Sequence, residues 1–144
     1  MSRRSSRSRR TDEPAFSAAS PCPCGLPAPY GECCGRYHSG AAVAPTAELL
    51  MRSRYSAFVV FDTQYLLRTW HPATRPGHLE LDPAMHWAGL EILQTIDGSP
   101  FHSSGLVTFR ARYRHHGKRG ALHERSTFER QDGAWVYVNG TFLD

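Results

Sequence analysis

Residues 106–114 read Leu-Val-Thr-Phe-Arg-Ala-Arg-Tyr-Arg. Val107, Phe109, Ala111 and Tyr113 alternate with Thr108, Arg110, Arg112 and Arg114. A period of two is the mark of a β-strand with one face toward a core and the other toward water. The stretch after it, His115 to Gly120, reads as a polar turn, and Leu122 to Phe128 as the next strand. Asp132-Gly133 is a hairpin signal. Trp135 to Val138 then forms the last strand, with Asn139-Gly140 beyond it. Upstream, Trp87 to Ile96 is densely apolar. It is expected to be a strand with Leu90, Ile92 and Ile96 on one face, closed by Asp97-Gly98-Ser99-Pro100.

The period changes before residue 72. Thr46 is placed to cap a helix that continues through Ala47, Glu48, Leu49 and Leu50. Leu50, Ser53 and Ala57 can form one contact row, and Met51, Tyr55 and Phe58 another. Asp62 reads as a second N-cap, for a short helix with Tyr65, Leu66, Thr69 and Trp70. His71-Pro72 closes that helix, because proline restricts the residue before it. Pro72, Pro76, Gly77 and Pro83 mark a loop. Helices first and an antiparallel sheet after them give an α+β fold with helices on one sheet face. A curved sheet of this kind encloses an apolar interior suited to a small molecule.

All four cysteines, Cys22, Cys24, Cys33 and Cys34, fall within thirteen positions, in the stretch P-C-P-C-G-L-P-A-P-Y-G-E-C-C-G-R-Y-H. A secreted disulfide framework staples distant segments, whereas these cysteines can only staple one loop to itself. Two close pairs separated by a turn-rich spacer can instead converge on one tetrahedral ion. A redox or disulfide role and free thiols are the alternatives. The Cys-x-Cys-x8-Cys-Cys spacing resembles the SEC-C motif, the small zinc-binding element at the C-terminus of the bacterial preprotein translocase ATPase. That resemblance implies Cys22, Cys24, Cys33 and Cys34 as ligands of a structural zinc, with His38 as a possible substitute for Cys34. Tyr30, Arg36, Tyr37 and His38 are expected to be exposed around it as a contact surface.

Length and charge set further bounds. A chain of 144 residues is one domain with room for a small appendage, too short for a two-domain dinucleotide enzyme or a barrel of about 250 residues. The net charge is +4, but residues 1–10 hold five arginines and no acid; the rest carries 12 basic against 13 acidic residues. The basic character therefore belongs to the Arg/Ser tail. Residues 1–19 are read as a disordered tail with weak RNA contact as a possible role. The body has no sustained basic stripe to mark a committed nucleic-acid domain. No apolar run is long enough to span a bilayer, and no secretory h-region is present, so a cytoplasmic protein is expected.

The whole pattern resembles the YchJ family of bacterial proteins, also called UPF0225. The resemblance rests on CPCG at 22–25, CCGRYHSG at 33–40, MRSRYSAFVVFD at 51–62, LLRTWHP at 66–72, HERSTFER at 123–130 and WVYVNG at 135–140. It covers about residues 20–144. It implies a zinc motif at 20–40 and a domain of the nuclear transport factor 2 (NTF2) superfamily, a cystatin-like roll, at 41–144. It implies no established activity. The spacer GLPAPYGE at 25–32 departs from the motif's usual Ser, Gly and Lys, which removes positive charge from that loop.

Arg54, Tyr55, His71 and Glu124 are the pocket candidates. An inward Arg54 would attract an anionic ligand or pair with Glu124, and otherwise would bridge helix to sheet. His71 is placed to cap its helix or line the pocket mouth. His123 and Glu124 are strand neighbours and face opposite sides; Glu124 shares a phase with Leu122, Ser126 and Phe128. No GxGxxG, Walker loop, HExxH or GxSxG occurs. The leading expectation is a zinc-containing adaptor or small-ligand-binding protein, with a protein partner and possible homodimerisation. The alternatives are an enzyme acting on a small organic substrate in the roll, and an RNA- or ribosome-associated factor.

Overall fold

The computed structural model describes residues 15–143. The Arg/Ser stretch that carries the expected RNA contact lies outside them. Three helices, α1 (Cys34–His38), α2 (Ala47–Val59) and α3 (Thr63–Arg68), precede four strands: β1 (Met85–Asp97), β2 (Ser104–His115), β3 (Lys118–Gln131) and β4 (Ala134–Phe142). The strands form one antiparallel sheet in the order β1-β2-β3-β4. The helices pack on the face bearing Val107, Phe109, Ala111, Phe128 and Trp135, as the alternation in β2 requires. This is the α+β roll that the sequence implies.

The helix starts are set by their caps. Thr46 Oγ1 accepts a hydrogen bond from the Leu49 amide at 3.1 Å, and Asp62 Oδ1 accepts one from the Tyr65 amide at 3.0 Å. Two hairpins are tight: His116-Gly117 and Asp132-Gly133 have φ of 50° and 80°, and of 52° and 84°. Positive φ at both central residues is the type I′ turn, whose twist matches that of the paired strands. The polar turn expected over 115–120 is therefore only two residues long, and Lys118 to Gly120 already belong to β3. β4 likewise runs on through Asn139-Gly140 to Phe142.

Two expectations fail for identifiable reasons. Ile96 does not share the inner face with Leu90 and Ile92. A bulge between Ile92 and Gln94 changes the phase, so Thr95 meets the inward Val107 and Ile96 lies opposite Leu106, 43% exposed. Residues 17–19 are not part of a tail: with Ser20 they turn against the cysteine loop. The Tyr30 amide donates to Ser20 O at 2.7 Å, the Gly31 amide donates to Ala18 O at 2.9 Å, and Phe16 stands edge-on to Tyr30.

Helix α2 is buried on more than one side. Leu50, Met51, Tyr55 and Ala57 join the main core, while Ser53 and Ser56 are also fully buried. An amphipathic helix laid on a sheet would leave one face in water; here the cysteine loop covers that face. Thr46→Ala removes the cap on this helix. It is expected to lower stability by about 1 kcal/mol, read from urea denaturation midpoints at unchanged m-value.

Candidate metal centre and cavity

The cysteine loop is closed by a bridge between Pro21 and Pro29 and by the Cys22 amide donating to Ala28 O at 3.2 Å. Gly25 takes φ +91°, which lets the chain reverse directly after Cys24. A short 3-10 turn at Tyr30–Glu32 then delivers Cys33 and Cys34 to the same point. The four Sγ atoms lie within 4.8 Å of one another, all buried and none in a disulfide. Cys24 Sγ and Cys33 Sγ are 3.7 Å apart. A tetrahedral thiolate site with bonds of about 2.3 Å has edges of about 3.8 Å, so the set fits one soft cation. With protons alone, hydrogen bonds from Cys24 and Cys34 hold the Cys22 thiol far below the ordinary range. Burial pushes Cys33 up to about 12, and the hydrogen bond to Cys22 pushes Cys34 higher still. Four such groups ionise together only if a cation offsets their charge.

His38 is not among the converging groups. Its Nε2 donates to Ser53 O at 2.8 Å, and its Nδ1 is hydrogen-bonded to the Tyr30 hydroxyl. Tyr37 is 5% exposed and belongs to the main core. Of the four residues expected to form an outward contact surface, Arg36 alone is exposed. The others are turned inward because the loop is docked. Arg52 Nη1 donates to Cys24 O at 2.8 Å and Arg68 Nη2 to Tyr37 O at 3.1 Å. Ser56 Oγ lies 3.7 Å from Cys22 Sγ. Tyr65 donates to Ser53 Oγ at 2.7 Å, and Ser53 in turn donates to Leu50 O.

On the other side of α2, a cavity of about 200 Å³ opens between the helix and the sheet. Met51, Tyr55, Phe58, Trp87, Phe109 and Leu122 make its apolar wall; Arg54, Glu124, Ser126, Trp70 and Tyr137 add polar atoms. Arg54, Tyr55 and Glu124 are thus brought together as the sequence suggests. His71 is not. It does not line the cavity; its Nδ1 accepts from the Ala73 amide and its Nε2 stands 3.8 Å from Glu129. His123 is on the opposite sheet face, across from Arg110.

Arg54 is 4% exposed. Its Nη1 donates to Leu66 O at 2.7 Å and to Thr69 Oγ1 at 2.8 Å, tying α2 to the end of α3. Its guanidinium carbon sits 4.6 Å from the Tyr137 ring centre and 5.1 Å from that of Trp70. Burial lowers its pKa to about 10, against the pull of Tyr137, Tyr65 and Glu124. Among the described residues it has no ion-pair partner, and Glu124 acts on it only through space. Glu124 accepts from Ser126 Oγ at 2.6 Å and lies over Gly140, where a Cβ would collide with the carboxylate. Burial raises its pKa despite Ser126 and Arg54. Trp70 Nε1 is the one buried side-chain polar atom among the described residues without a hydrogen-bond partner. Trp70, Trp87, Tyr137 and Ser126 were not singled out from the sequence; the phase of Ser126 with Glu124 and Phe128 was the available signal.

A raised carboxylate pKa makes the native state hold its proton to higher pH than the unfolded chain does. The cost of ionising Glu124 is then absent below the unfolded pKa of about 4.3 and grows as pH rises through the folded value. Glu124→Gln, which keeps an acceptor for Ser126, is expected to raise Tm at pH 7 relative to the unmodified chain. The difference should shrink toward pH 4 in parallel thermal melts.

Comparison with known proteins fits this geometry. The sequence profile described as YchJ, middle NTF2-like domain, matches residues 46–140. A UPF0225 protein of Streptomyces coelicolor is 67% identical over 124 residues, covering 86% of this chain and 97% of that protein. One from Streptomyces avermitilis is 62% identical over 143 residues, covering 96% and 99%. The solution structure of a SEC-C motif containing protein from Rhodopseudomonas palustris aligns with TM-score 0.75 at 31% identity, covering 85% of this chain and 98% of that one. The crystal structure of a SEC-C motif containing protein from Psychrobacter arcticus aligns with TM-score 0.72 at 29% identity, covering 90% and 85%. The chain, with its cysteine cluster set against an NTF2-like roll, belongs to the YchJ (UPF0225) family.

Proposed function

We propose that this chain binds a small, largely apolar molecule in the cavity between α2 and the sheet, and that residues 20–40 are a zinc knuckle bracing α2 against the roll of 41–144. The observation that supports the binding role is the cavity itself. Protein interiors are close-packed, yet here aromatic walls enclose open volume with Arg54, Glu124 and Ser126 available to orient a polar end. The volume suits a one- or two-ring molecule. Binding is favoured over catalysis because, among the described residues, no histidine or cysteine lines the cavity beside Glu124.

Zinc is the ion that four thiolates at tetrahedral spacing favour. When bound it would supply the charge that lets Cys22, Cys24, Cys33 and Cys34 all ionise. A site closed by four protein ligands leaves no position for substrate, so its role is structural. Reduced, clustered thiols also favour a cytoplasmic setting. Among the described residues no helix is long and apolar enough to cross a membrane. A protein partner of the knuckle would meet Glu32 and Arg36, its exposed charged residues, with the exposed Pro21, Gly25, Pro27, Ser39 and Gly40 around them.

Elemental analysis with thiol titration tests the metal. One zinc per chain with four masked thiols is expected, and stripping it with a strong chelator should cost several kcal/mol, about 10 °C or more in Tm. Metal-free protein with four reactive thiols, purified with zinc and reductant present, would overturn the assignment. Calorimetric titration with 2-naphthol tests the cavity. Saturable binding to the unmodified chain is expected, weakened about tenfold or more by Ala111→Leu, which fills the cavity wall, at little change in Tm. Binding that Ala111→Leu leaves unchanged, or no binding, removes the ligand role.

A further inference from the structure

The outer face of the sheet carries a second feature. Cross-strand partners share a face, and the register sets Arg110, Arg112 and Arg114 of β2 beside Arg119 and Arg125 of β3. The one carboxylate between them is Glu91 of β1, 3.3 Å from Arg110 and 3.7 Å from Arg112. Among the described residues Arg114, Arg119 and Arg125 make no ion pair, and all three are exposed. Alternation along β2 sets Arg110, Arg112 and Arg114 on one face, and the pairing with β3 adds Arg119 and Arg125 beside them. Beyond Arg10 the chain has a small net negative charge, so this basic face is offset by acids placed elsewhere. Such segregation costs stability. Arg114 and Arg119 are direct cross-strand partners, and like charges directly opposite are destabilising.

We infer that this face binds the sugar–phosphate backbone of double-helical RNA without reading its sequence. Arginines two apart on a strand stand about 6.7 Å apart, on the scale of successive phosphates along one strand. Their planar forks match phosphate oxygens better than ammonium groups do. No Phe, Tyr or Trp stands among these positions; the rings there are the single imidazoles of His123, opposite Arg110, and His86, opposite Arg114, so the face lacks the row of large aromatic platforms on which successive unpaired bases stack. It also projects neither a helix nor an isolated two-stranded ribbon, the elements that a DNA major groove admits, because β2 and β3 lie within a four-stranded sheet. An arginine-bearing outer sheet face instead fits the wide, shallow minor groove of an A-form helix, where phosphates and 2′-hydroxyls are displayed. A second copy is a poor occupant, since twofold pairing would set arginine against arginine.

The test is fluorescence anisotropy of a labelled, fully paired RNA stem-loop titrated with the full chain across a salt series. Three full-length proteins are compared: the unmodified chain, Arg114→Ser/Arg119→Ser/Arg125→Ser, and a version with Arg3, Arg4, Arg7, Arg9 and Arg10 changed to Gln. The exposed triple variant should keep its Tm or raise it slightly, since it removes the like-charge pair Arg114–Arg119. It should lose about tenfold or more in affinity, with a log–log salt slope shallower by about 2 to 3. The tail variant should retain dependence on the three sheet arginines. Wild-type affinity in the triple variant, or complete loss in the tail variant, overturns the inference. So does tighter binding to a DNA duplex of the same sequence, or competition by poly-glutamate as effective as that by unlabelled RNA.

Discussion

The structure depends on the grip that the cysteine knuckle and the sheet exert on the two sides of α2. One side, through Leu50, Met51, Tyr55 and Ala57, packs on the strands in the ordinary way. The other carries Ser53 and Ser56, whose hydroxyls have little to gain from an apolar core and must find partners once buried. Ser53 exchanges hydrogen bonds with Tyr65 and Leu50 O, and Ser56 faces the Cys22 sulfur. The backbone carbonyls of Cys24 and Ser53 take donors from Arg52 and His38. Without the knuckle those groups would face water, and α2 would rest on the sheet by one side only.

Much of this was legible beforehand, and the limits have specific causes. Alternation in β2 set the sheet, because side-chain direction in a strand has a period of two. Thr46 and Asp62 announced helix starts, because few residues other than capping ones suit those positions. The cysteine spacing foretold the cluster, because a thirteen-residue stretch with Pro and Gly turns can do little else with four thiols. Ile96 was misplaced because a bulge is invisible to pattern reading. Tyr37 and His38 were expected outside because polar, aromatic residues near a metal loop look like a contact surface; only the docking onto α2 shows that their partners lie within the chain. His71 shares a helix end with Trp70, yet the two side chains diverge, since the backbone at Trp70 pairs with Tyr137.

Arg54 shows how one residue can satisfy two readings. Its hydrogen bonds to Leu66 O and Thr69 are those of a structural bridge between helices. Its guanidinium also sits over two adjoining aromatic rings, Trp70 and Tyr137, at the cavity, without a carboxylate in ion-pair contact. Burying a charge this deeply is tolerated only when several groups share the compensation. Here two acceptors, two π faces and the distant Glu124 do so.

The two ends of this arrangement are joined by a single rigid element. Arg52, which holds the knuckle through Cys24 O, and Arg54, which lines the cavity, are two residues apart on α2 and so point to different sides of it. A helix cannot rotate one of them without moving the other. The position of the cavity's buried charge is therefore set from both sides: by α3 through Leu66 and Thr69, and by the knuckle through the orientation of α2. A metal held by the four cysteines would not touch the cavity, yet through α2 it would fix the geometry of the cavity's polar end.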